Sequence, residues 1–204
     1  MVARHARAAY VETWFSDEGG SLTDEGRAQA RRLGASLVGE DVVAVVTSDT
    51  SRAVQTGEIA AARLARLALP DLPVTAVKAL REVFLGDLLG SAFDVGRIEE
   101  VTRQWHAGDL AVRFPGGESG TEVVRRHADA LDQVARAHPG ATVLVVGHQT
   151  ALGVALPELA RAGRGAGGVS PAYARDHPLG NTERAVLTGV PGRWTLTAWG
   201  PAAG

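Results

Sequence analysis

Two continuous runs of apolar, largely β-branched residues constrain the fold of this chain more than any other feature. They are VVAVVTS over Val42–Ser48 and ATVLVVGH over Ala141–His148. Neither run alternates apolar with polar residues, which predicts strands that are buried on both faces. Such strands occur in parallel or mostly parallel sheets that helices cover on each side. The two runs therefore predict an α/β protein.

Helix-like segments separate these strands, as an alternating α/β fold requires. The sequence predicts helices over Asp24–Val38 after the capping residue Thr23, over Ser51–Leu69, and over Thr121–Ala137. Ahead of the last helix, a serine followed three residues later by a glutamate forms a capping-box pattern. Near the C-terminus, RAVLTG and RWTLTAWG predict two closing strands joined by a turn at VPG.

One long stretch, Gly163–Asn181, is predicted to be a loop because it is polar and rich in glycine. A long loop in an α/β protein commonly forms a lid or the rim of a pocket. The sequence has no internal repeat and no linker that would divide it. At 204 residues the chain is expected to form a single domain over residues 1–204.

The composition is typical of a soluble globular protein and excludes several classes of function. Apolar residues make up 45% of the chain, charged residues 22%, and the net charge is -2. This charge gives no attraction to nucleic acid. No apolar run is long enough for a membrane span or a signal peptide, so the expected location is cytoplasmic. The chain has no cysteine, which removes disulfides, thiolate nucleophiles and cysteine-ligated zinc.

Polar residues at the predicted strand ends supply a candidate site. Arg4 and His5 follow the short apolar start MVA. Arg52 comes just after the first apolar run, and His148 ends the second. Ligands of such folds bind beyond the carboxyl ends of the strands. We therefore expect these four side chains to meet at one face of the sheet.

Two arginines and two histidines suit an oxyanion better than a metal ion, because arginine repels a cation. Guanidinium groups bind phosphate in a bidentate manner, and a neutral imidazole can attack phosphorus. Neighbouring arginines disfavour the charged imidazolium and so keep such a nucleophile neutral. On these grounds either His5 or His148 could be the nucleophile. No metal and no cofactor are expected.

A departing alkoxide requires a proton, and Glu82 in LREVFLG is the candidate general acid. Asp87 and Glu118 are less favoured candidates. A helix is also predicted to begin just after His148. The backbone N–H groups of Gln149 and Thr150 at its start could add an anion-binding end to the site.

Several of these signals also have a plain structural interpretation. His148 after a buried strand is equally well explained as a structural histidine. Arg126 and His127 repeat the Arg-His dipeptide inside a predicted helix and are assigned no role. PGGES lacks the ending of a phosphate-binding loop and is predicted to turn the chain and cap the next helix. Candidates for the pocket wall are Trp14, Phe15, Phe84, Trp105 and Arg113. Trp105 and Phe84 are equally well explained as core residues.

In this order, the motifs resemble those of the histidine phosphatase superfamily, the phosphoglycerate mutase-like group. ARHARA resembles its Arg-His-Gly signature, SLTDEGRAQARRLGASL its Leu-Thr-x-x-Gly-x-x-Gln-Ala helix, and VVTSDTSRAVQTGEIAA its Ser-x-x-x-Arg-Ala-x-Gln-Thr segment. LREVFLGDLLG, FPGGES, VLVVGHQT and LGNTERAVL follow in the family's order. Seven motifs in order are highly specific, and the resemblance covers nearly the whole chain.

The resemblance implies a three-layer αβα sandwich with a mostly parallel central sheet, a phosphohistidine intermediate and no metal. It implies that His5 is the phosphorylated nucleophile and that His148 is the second histidine of the pocket. Arg4 and Arg52 resemble the family's phosphate-binding arginines, and Glu82 resembles its proton donor.

The expected function is hydrolysis of a small phosphomonoester by a metal-independent phosphatase. Family mutases tend to carry an arginine-bearing insertion after the acid glutamate, whereas the interval Gly86–Phe114 is short here. The alternatives are mutase-type phosphoryl transfer, a protein phosphohistidine phosphatase, and a protein that binds phosphorylated ligands without turnover. The expected partner is a small phosphorylated metabolite, with no nucleic acid and no membrane, and the resemblance leaves a homodimer open.

Overall fold

A computed structural model describes residues 1–9, 20–67, 72–92, 94–163 and 169–200. These residues form one sheet with helices on both faces. The strands are β1 (Val2–Arg4), β2 (Val42–Thr47), β3 (Val74–Ala76), β4 (Thr142–Gly147), β5 (Arg184–Val190) and β6 (Arg193–Gly200). The α-helices are α1 (Asp24–Ala35), α2 (Ser51–Ala65), α3 (Val95–His106), α4 (Gly120–Ala137), α5 (Gln149–Ala162) and α6 (Pro171–Asp176). Short 3-10 helices cover Lys78–Leu80 and Gly86–Leu88.

The strands lie in the order β3, β2, β4, β1, β5, β6 across the sheet. The first four are parallel to their neighbours, whereas β5 is antiparallel to β1 and β6 is antiparallel to β5. The predicted α/β class, with a mostly parallel sheet between helical layers, is confirmed. The two closing strands are also present, as β5 and β6.

Strand β4 packs into two separate apolar cores. Val143 and Val145 belong to the core that α4 and α5 complete on one face of the sheet. Leu144 and Val146 belong to the core that α1 and α2 complete on the other face. Successive side chains of a strand point to opposite faces, so a strand covered on both sides is apolar throughout. Burial of each such side chain stabilises the fold by about 1.5–3 kcal/mol.

Helices α1 and α2 cover one face, and both begin where the sequence predicts. Thr23 caps α1, because its Oγ1 accepts a hydrogen bond from the Gly26 amide at 3.0 Å. Helix α1 ends before the predicted Val38, whose amide bonds to the Ala35 carbonyl three positions back in a tighter turn. Helix α2 ends before the predicted Leu69, which lies outside the described residues.

Helices α4 and α5 cover the opposite face, and the capping box that begins α4 is confirmed. The Ser119 Oγ accepts a hydrogen bond from the Glu122 amide at 3.3 Å, and the Glu122 Oε2 accepts one from the Ser119 amide at 2.8 Å. These reciprocal bonds satisfy two amides that a helix start otherwise leaves without partners.

Helix α5 is buried along most of its length. Pro157 lies inside it and lacks the N–H that would otherwise bond to the Gly153 carbonyl. Among the residues that the structure describes, no helix has the length and apolar character needed to cross a membrane.

Two helices, α3 and α6, occupy stretches where the sequence predicts none. Helix α6 lies within the predicted loop Gly163–Asn181, of which residues 164–168 are outside the described part of the chain. Ser170 caps this helix by accepting the Tyr173 amide at 3.1 Å. Ala174 and Leu179 are buried, so this stretch contributes to the core and the prediction of a purely polar loop is wrong.

Helix α3 packs against α4 and α5 through a third apolar cluster. Its Trp105 is 1% exposed and lies edge-on to Phe114, with ring centroids 5.5 Å apart. The indole Nε1 donates a hydrogen bond to the Val112 carbonyl at 2.7 Å. Of the two interpretations of Trp105, the core residue is confirmed and the pocket wall is wrong.

Candidate active site

The carboxyl ends of the parallel strands open into a cleft of about 1020 Å³. Arg4 and His5 reach it from β1 and the residue after it, and His148 follows β4. The first turn of α2 and the segment after β3 supply further lining residues. The structure therefore brings together all six residues that the sequence singles out for the site: Arg4, His5, Arg52, Glu82, His148 and Gln149.

Hydrogen bonds fix the backbone around His5. Its amide continues the sheet by donating to the Gly147 carbonyl at 3.0 Å. The buried Thr56 Oγ1 on α2 accepts a hydrogen bond from the Ala6 amide at 3.0 Å and donates one to the Arg52 carbonyl at 2.6 Å. A single hydroxyl thus joins the turn after His5 to the helix that carries Arg52.

His5 is buried, and its Nδ1 lies 2.7 Å from the Ala6 carbonyl oxygen. A carbonyl oxygen can only accept, so Nδ1 carries the proton and Nε2 carries a lone pair. Burial is the main cause that lowers the pKa of His5 to about 3. The hydrogen bond to Ala6 opposes this shift, while the charges of Arg52 and Arg4 add to it. His5 is therefore neutral at pH 7.

His148 is buried beside His5, with the two ring centroids 5.2 Å apart and the rings tilted by 60°. Its Nδ1 lies 3.2 Å from Nη2 of Arg52, and a guanidinium can only donate. The proton of neutral His148 is therefore on Nε2, which lies 3.4 Å from the Thr50 Oγ1. Burial, followed by the charge of Arg52, holds the pKa of His148 well below its usual value.

The two histidines therefore differ in what they offer a ligand. His5 has a lone pair on Nε2, whereas His148 has an N–H group on Nε2. The sequence alone leaves both as candidate nucleophiles. The hydrogen-bond partners distinguish them, because they place the protons on opposite nitrogens.

Both arginines are held by the protein at the floor of the cleft. The Arg4 guanidinium donates to the Leu179 carbonyl at 3.0 Å, and nearby the Asn181 side-chain amide donates to the His5 carbonyl at 2.9 Å. Arg52 is 4% exposed and lies in the first turn of α2. A positive charge there opposes the helix dipole, which a bound anion would compensate.

The carboxylate of Glu82 docks on the N-terminus of α5. Its Oε1 accepts the Ala151 amide at 2.7 Å and the Val83 amide at 3.0 Å, and its Oε2 accepts the Thr150 amide at 3.0 Å. The sequence offers the Gln149 and Thr150 amides as an anion-binding end for a ligand. For Thr150 that prediction is corrected, because the positive end of α5 has attracted a carboxylate of the chain itself.

These contacts also distinguish the two oxygens of Glu82. A carboxylate oxygen has two lone pairs, and both of those on Oε1 are used by backbone amides. Oε2 accepts one backbone amide and retains a second lone pair. Oε2 is therefore the atom through which Glu82 can exchange a proton with a ligand.

The other two carboxylates considered as acids lie away from the cleft. Glu118 forms an ion pair with Arg126, with Oε1 and Nε 2.7 Å apart. Asp87 is not among the residues that line the cleft. Among the described residues, no group of three or more histidine, aspartate or glutamate side chains is arranged to hold a metal ion.

The predicted pocket-wall residues that the structure describes do not line the cleft. Phe84 is exposed and borders a neighbouring cavity of about 570 Å³, and Arg113 pairs with Glu122 at 3.1 Å outside the cleft. Trp14 and Phe15 lie outside the described residues. Helices α3 and α6 form the observed outer wall, which is lined by Val95, Ile98, Glu99, Glu100, Arg103, His106, Ala174 and Arg175.

Two residues that hold the backbone of the site have no role assigned by the sequence. Thr56 accepts the Ala6 amide, and Arg126 donates to the Glu82 carbonyl at 3.1 Å. Thr56 lies between the buried Ala53 and Ala60, three and four positions away on the inner face of α2. Arg126 lies in the same way between Val123 and Ala130 on α4. In the sequence, a polar residue that lies three and four positions from apolar residues of the same helix face indicates a polar side chain directed toward the core.

A family model described as "Histidine phosphatase superfamily (branch 1)" matches residues 1–201. Among curated proteins, the chain is similar to the probable phosphoglycerate mutase GpmB of Yersinia pestis (strain Pestoides F). The two are 32% identical over 142 residues, which cover 68% of this chain and 62% of the relative. The match thus spans less than two thirds of that relative's length.

Solved structures with a similar fold include Bacillus stearothermophilus YhfR, with a TM-score of 0.75 and 26% identity over 99% of this chain and 96% of that one. The native mycobacterial glucosyl-3-phosphoglycerate phosphatase has a TM-score of 0.75 and 22% identity, over 98% and 97% of the two chains. A phosphoserine phosphatase of Entamoeba histolytica in complex with 3-phosphoglyceric acid has a TM-score of 0.71 and 18% identity, over 97% and 94%. The last two similarities establish the fold alone.

Proposed function

Because the chain belongs to the histidine phosphatase superfamily (branch 1), we propose that it hydrolyses a small-molecule phosphomonoester through a phosphohistidine intermediate, without a metal ion. The observation that carries this proposal is the neutral His5, whose Nε2 lone pair lies in a cleft with Arg4 and Arg52. A nucleophile of this kind requires no base to activate it.

In the first step, Arg4 and Arg52 bind the phosphoryl oxygens and neutralise their charge. The Nε2 of His5 attacks phosphorus, so that an N–P bond forms while the ester P–O bond breaks. The departing alkoxide takes a proton from Oε2 of Glu82 and leaves as the alcohol. The Nε2–H of His148 donates to a phosphoryl oxygen and stabilises the charge that develops there.

In the second step, water attacks the phosphohistidine. Glu82, now ionised, removes a proton from this water at Oε2, and a P–O bond forms while the N–P bond breaks. Inorganic phosphate is released, His5 regains its lone pair, and Glu82 is again protonated. The same carboxyl group therefore serves as acid in one step and as base in the next.

The outer wall supports a small substrate with polar groups on its alcohol part. Val95 and Ile98 offer apolar contacts, and Arg103 offers a positive charge for a carboxylate or hydroxyl groups. The other arginine of this wall, Arg175, is paired with Asp176 at 2.8 Å. The two named phosphatases of similar fold act, by their names, on glucosyl-3-phosphoglycerate and phosphoserine. We therefore propose a phosphorylated hydroxy acid or a phosphorylated sugar as the substrate class.

Phosphoglycerate mutase activity is the second candidate, because the curated relative carries the name of a probable phosphoglycerate mutase. A mutase would return the phosphoryl group from His5 to another hydroxyl of the substrate and would depend on a bisphosphate primer. A phosphatase would release inorganic phosphate without one. The products of 3-phosphoglycerate, with and without a primer, therefore separate the two candidates.

The proposal is tested by measuring phosphate release from 3-phosphoglycerate, sugar phosphates and nucleoside monophosphates in the presence of EDTA. We expect turnover by the unaltered protein and none by His5→Ala. His138→Ala is the matched control, because His138 lies between α4 and the start of β4 and does not line the cleft. Equal rates in His5→Ala and the unaltered protein would exclude His5 as the nucleophile. Phosphate release that requires a divalent ion would contradict the metal-free mechanism.

A further inference from the structure

The side chain of Arg126 binds the segment that carries Glu82. Its Nη1 donates to the carbonyl oxygens of Ala79 and Arg81, each at 2.7 Å, and its Nη2 donates to the Glu82 carbonyl at 3.1 Å. The remaining N–H groups bind the Glu118 carboxylate, with Nε 2.7 Å from Oε1 and Nη2 3.0 Å from Oε2. All five donors of the guanidinium are therefore used.

Glu118 binds the same segment of backbone. Its Oε2 also accepts the Phe84 amide at 2.8 Å. The Arg126 and Glu118 side chains are only 20% and 19% exposed, so their bidentate pair is partly shielded from water. Together the pair holds the backbone on both sides of Glu82.

Glu82 is thus anchored at two ends. Its backbone carbonyl is held by α4 through Arg126, and its carboxylate is held by α5 through the Thr150 and Ala151 amides. These two attachments fix the position of Oε2, the oxygen that retains a lone pair. A displacement of the backbone at residue 82 would move this oxygen relative to His5 and the ester bond.

We propose that Arg126, held by Glu118, is a positioning residue that places Glu82 for proton transfer to the leaving group. This inference rests on the proposed function, and it adds to it a residue that does not touch the substrate. Lysine cannot replace Arg126 here, because an ammonium has three donors and lacks the planar fork that reaches three carbonyls and a carboxylate.

The proposal is tested by comparing two esters on the same protein preparations. An alkyl phosphate needs a proton on its leaving group, whereas p-nitrophenyl phosphate releases a stabilised anion that does not. For Arg126→Gln and Arg126→Lys, we expect kcat/KM to fall about 10²-fold with the alkyl ester. With p-nitrophenyl phosphate we expect a loss of less than about threefold. A merely structural role would lower both rates together.

Two further variants complete the design. Arg125→Gln is the matched control, because Arg125 is the exposed neighbour of Arg126 on α4. Its ratio of the two rates should remain unchanged. In a Glu82→Gln background, Arg126→Gln should lower the alkyl ester rate little further, because the group that it positions is already gone. Full additivity, or an equal loss with both esters, would overturn the proposal.

A readout that does not depend on activity separates this proposal from the proposed function. Hydrogen exchange at the Thr150 and Ala151 amides reports whether the Glu82 carboxylate remains docked on α5. We expect faster exchange there in Arg126→Gln than in Arg125→Gln. If the unaltered protein cleaved neither ester, the proposed function would fail, while the exchange result would still support or overturn the role of Arg126. Unchanged exchange would overturn it.

Discussion

Two histidines with ring centroids 5.2 Å apart carry their protons on opposite ring nitrogens. The difference comes from the kind of partner that each Nδ1 has. The Ala6 carbonyl beside His5 can only accept, and the Arg52 guanidinium beside His148 can only donate. At the residue scale, a lone pair and an N–H group are therefore set side by side without a charge on either ring.

Nitrogen-15 NMR of the histidine side chains tests this assignment directly. We expect His5 to be the neutral Nδ1–H tautomer and His148 the neutral Nε2–H tautomer at pH 7. Both should remain neutral at pH 5, because burial lowers the pKa of His5 to about 3 and the pKa of His148 well below its usual value. Single His→Asn variants would assign the signals. An imidazolium signal from either ring at pH 7 would contradict the structure.

Helices α1 and α2 cross so closely that there is no room for a side chain at Gly34. A Cβ placed there would lie 2.3 Å from the Ala60 carbonyl oxygen, which belongs to the backbone and cannot rotate away. Gly153 in α5 is different, because a Cβ there would have no neighbour within 4 Å. The same residue type therefore has a packing role in one helix and none in the other.

We expect Gly34→Ala to lower the free energy of unfolding by about 1–3 kcal/mol, although alanine is the better helix former. Gly153→Ala should leave it unchanged or raise it by up to about 1 kcal/mol. Urea denaturation of the two variants and the unaltered protein measures both effects. A stabilised Gly34→Ala would show that the two helices separate without cost.

How much the sequence predicts at the element scale depends on how local the contacts are. The starts of α1 and α4 are predictable, because Thr23 and Ser119 each bond to an amide three residues away. The docking of Glu82 is not, because Thr150 and Ala151 lie 68 and 69 positions along the chain. Helix α6 is missed for another reason: six residues are too few for an apolar period to show.

At the scale of the whole molecule, the buried histidines make folding depend on pH. Burial, with the charge of Arg126, also lowers the pKa of His127 to about 3. His5, His127 and His148 are thus neutral in the fold at pH values where an unfolded chain would protonate them. Their stabilising contribution is complete above the unfolded pKa near 6.5 and is lost progressively as the pH falls toward 3.

We expect the free energy of unfolding to fall by up to about 5 kcal/mol between pH 6.5 and pH 5. This window lies above the range in which most carboxylates titrate, so histidines dominate the slope. Urea denaturation at several pH values measures it. His127→Gln removes one titrating ring and lies outside the cleft. It should reduce by about one the number of protons taken up on unfolding, which sets the slope of the free energy of unfolding against pH. A stability independent of pH in this window would contradict burial of the three neutral rings.

The two halves of the outer wall are attached to the rest of the protein in different ways. Helix α6 leads directly into Leu179 and Asn181, which bond to Arg4 and to the backbone of His5. Helix α3 is held by the packing of Trp105 and its neighbours, away from the reacting groups. An attempt to redesign the ligand preference should therefore begin with the exposed residues of α3, where a substitution leaves the position of His5 unchanged. A substitution in α6 would change the positions of Arg4 and His5 as well as the ligand preference.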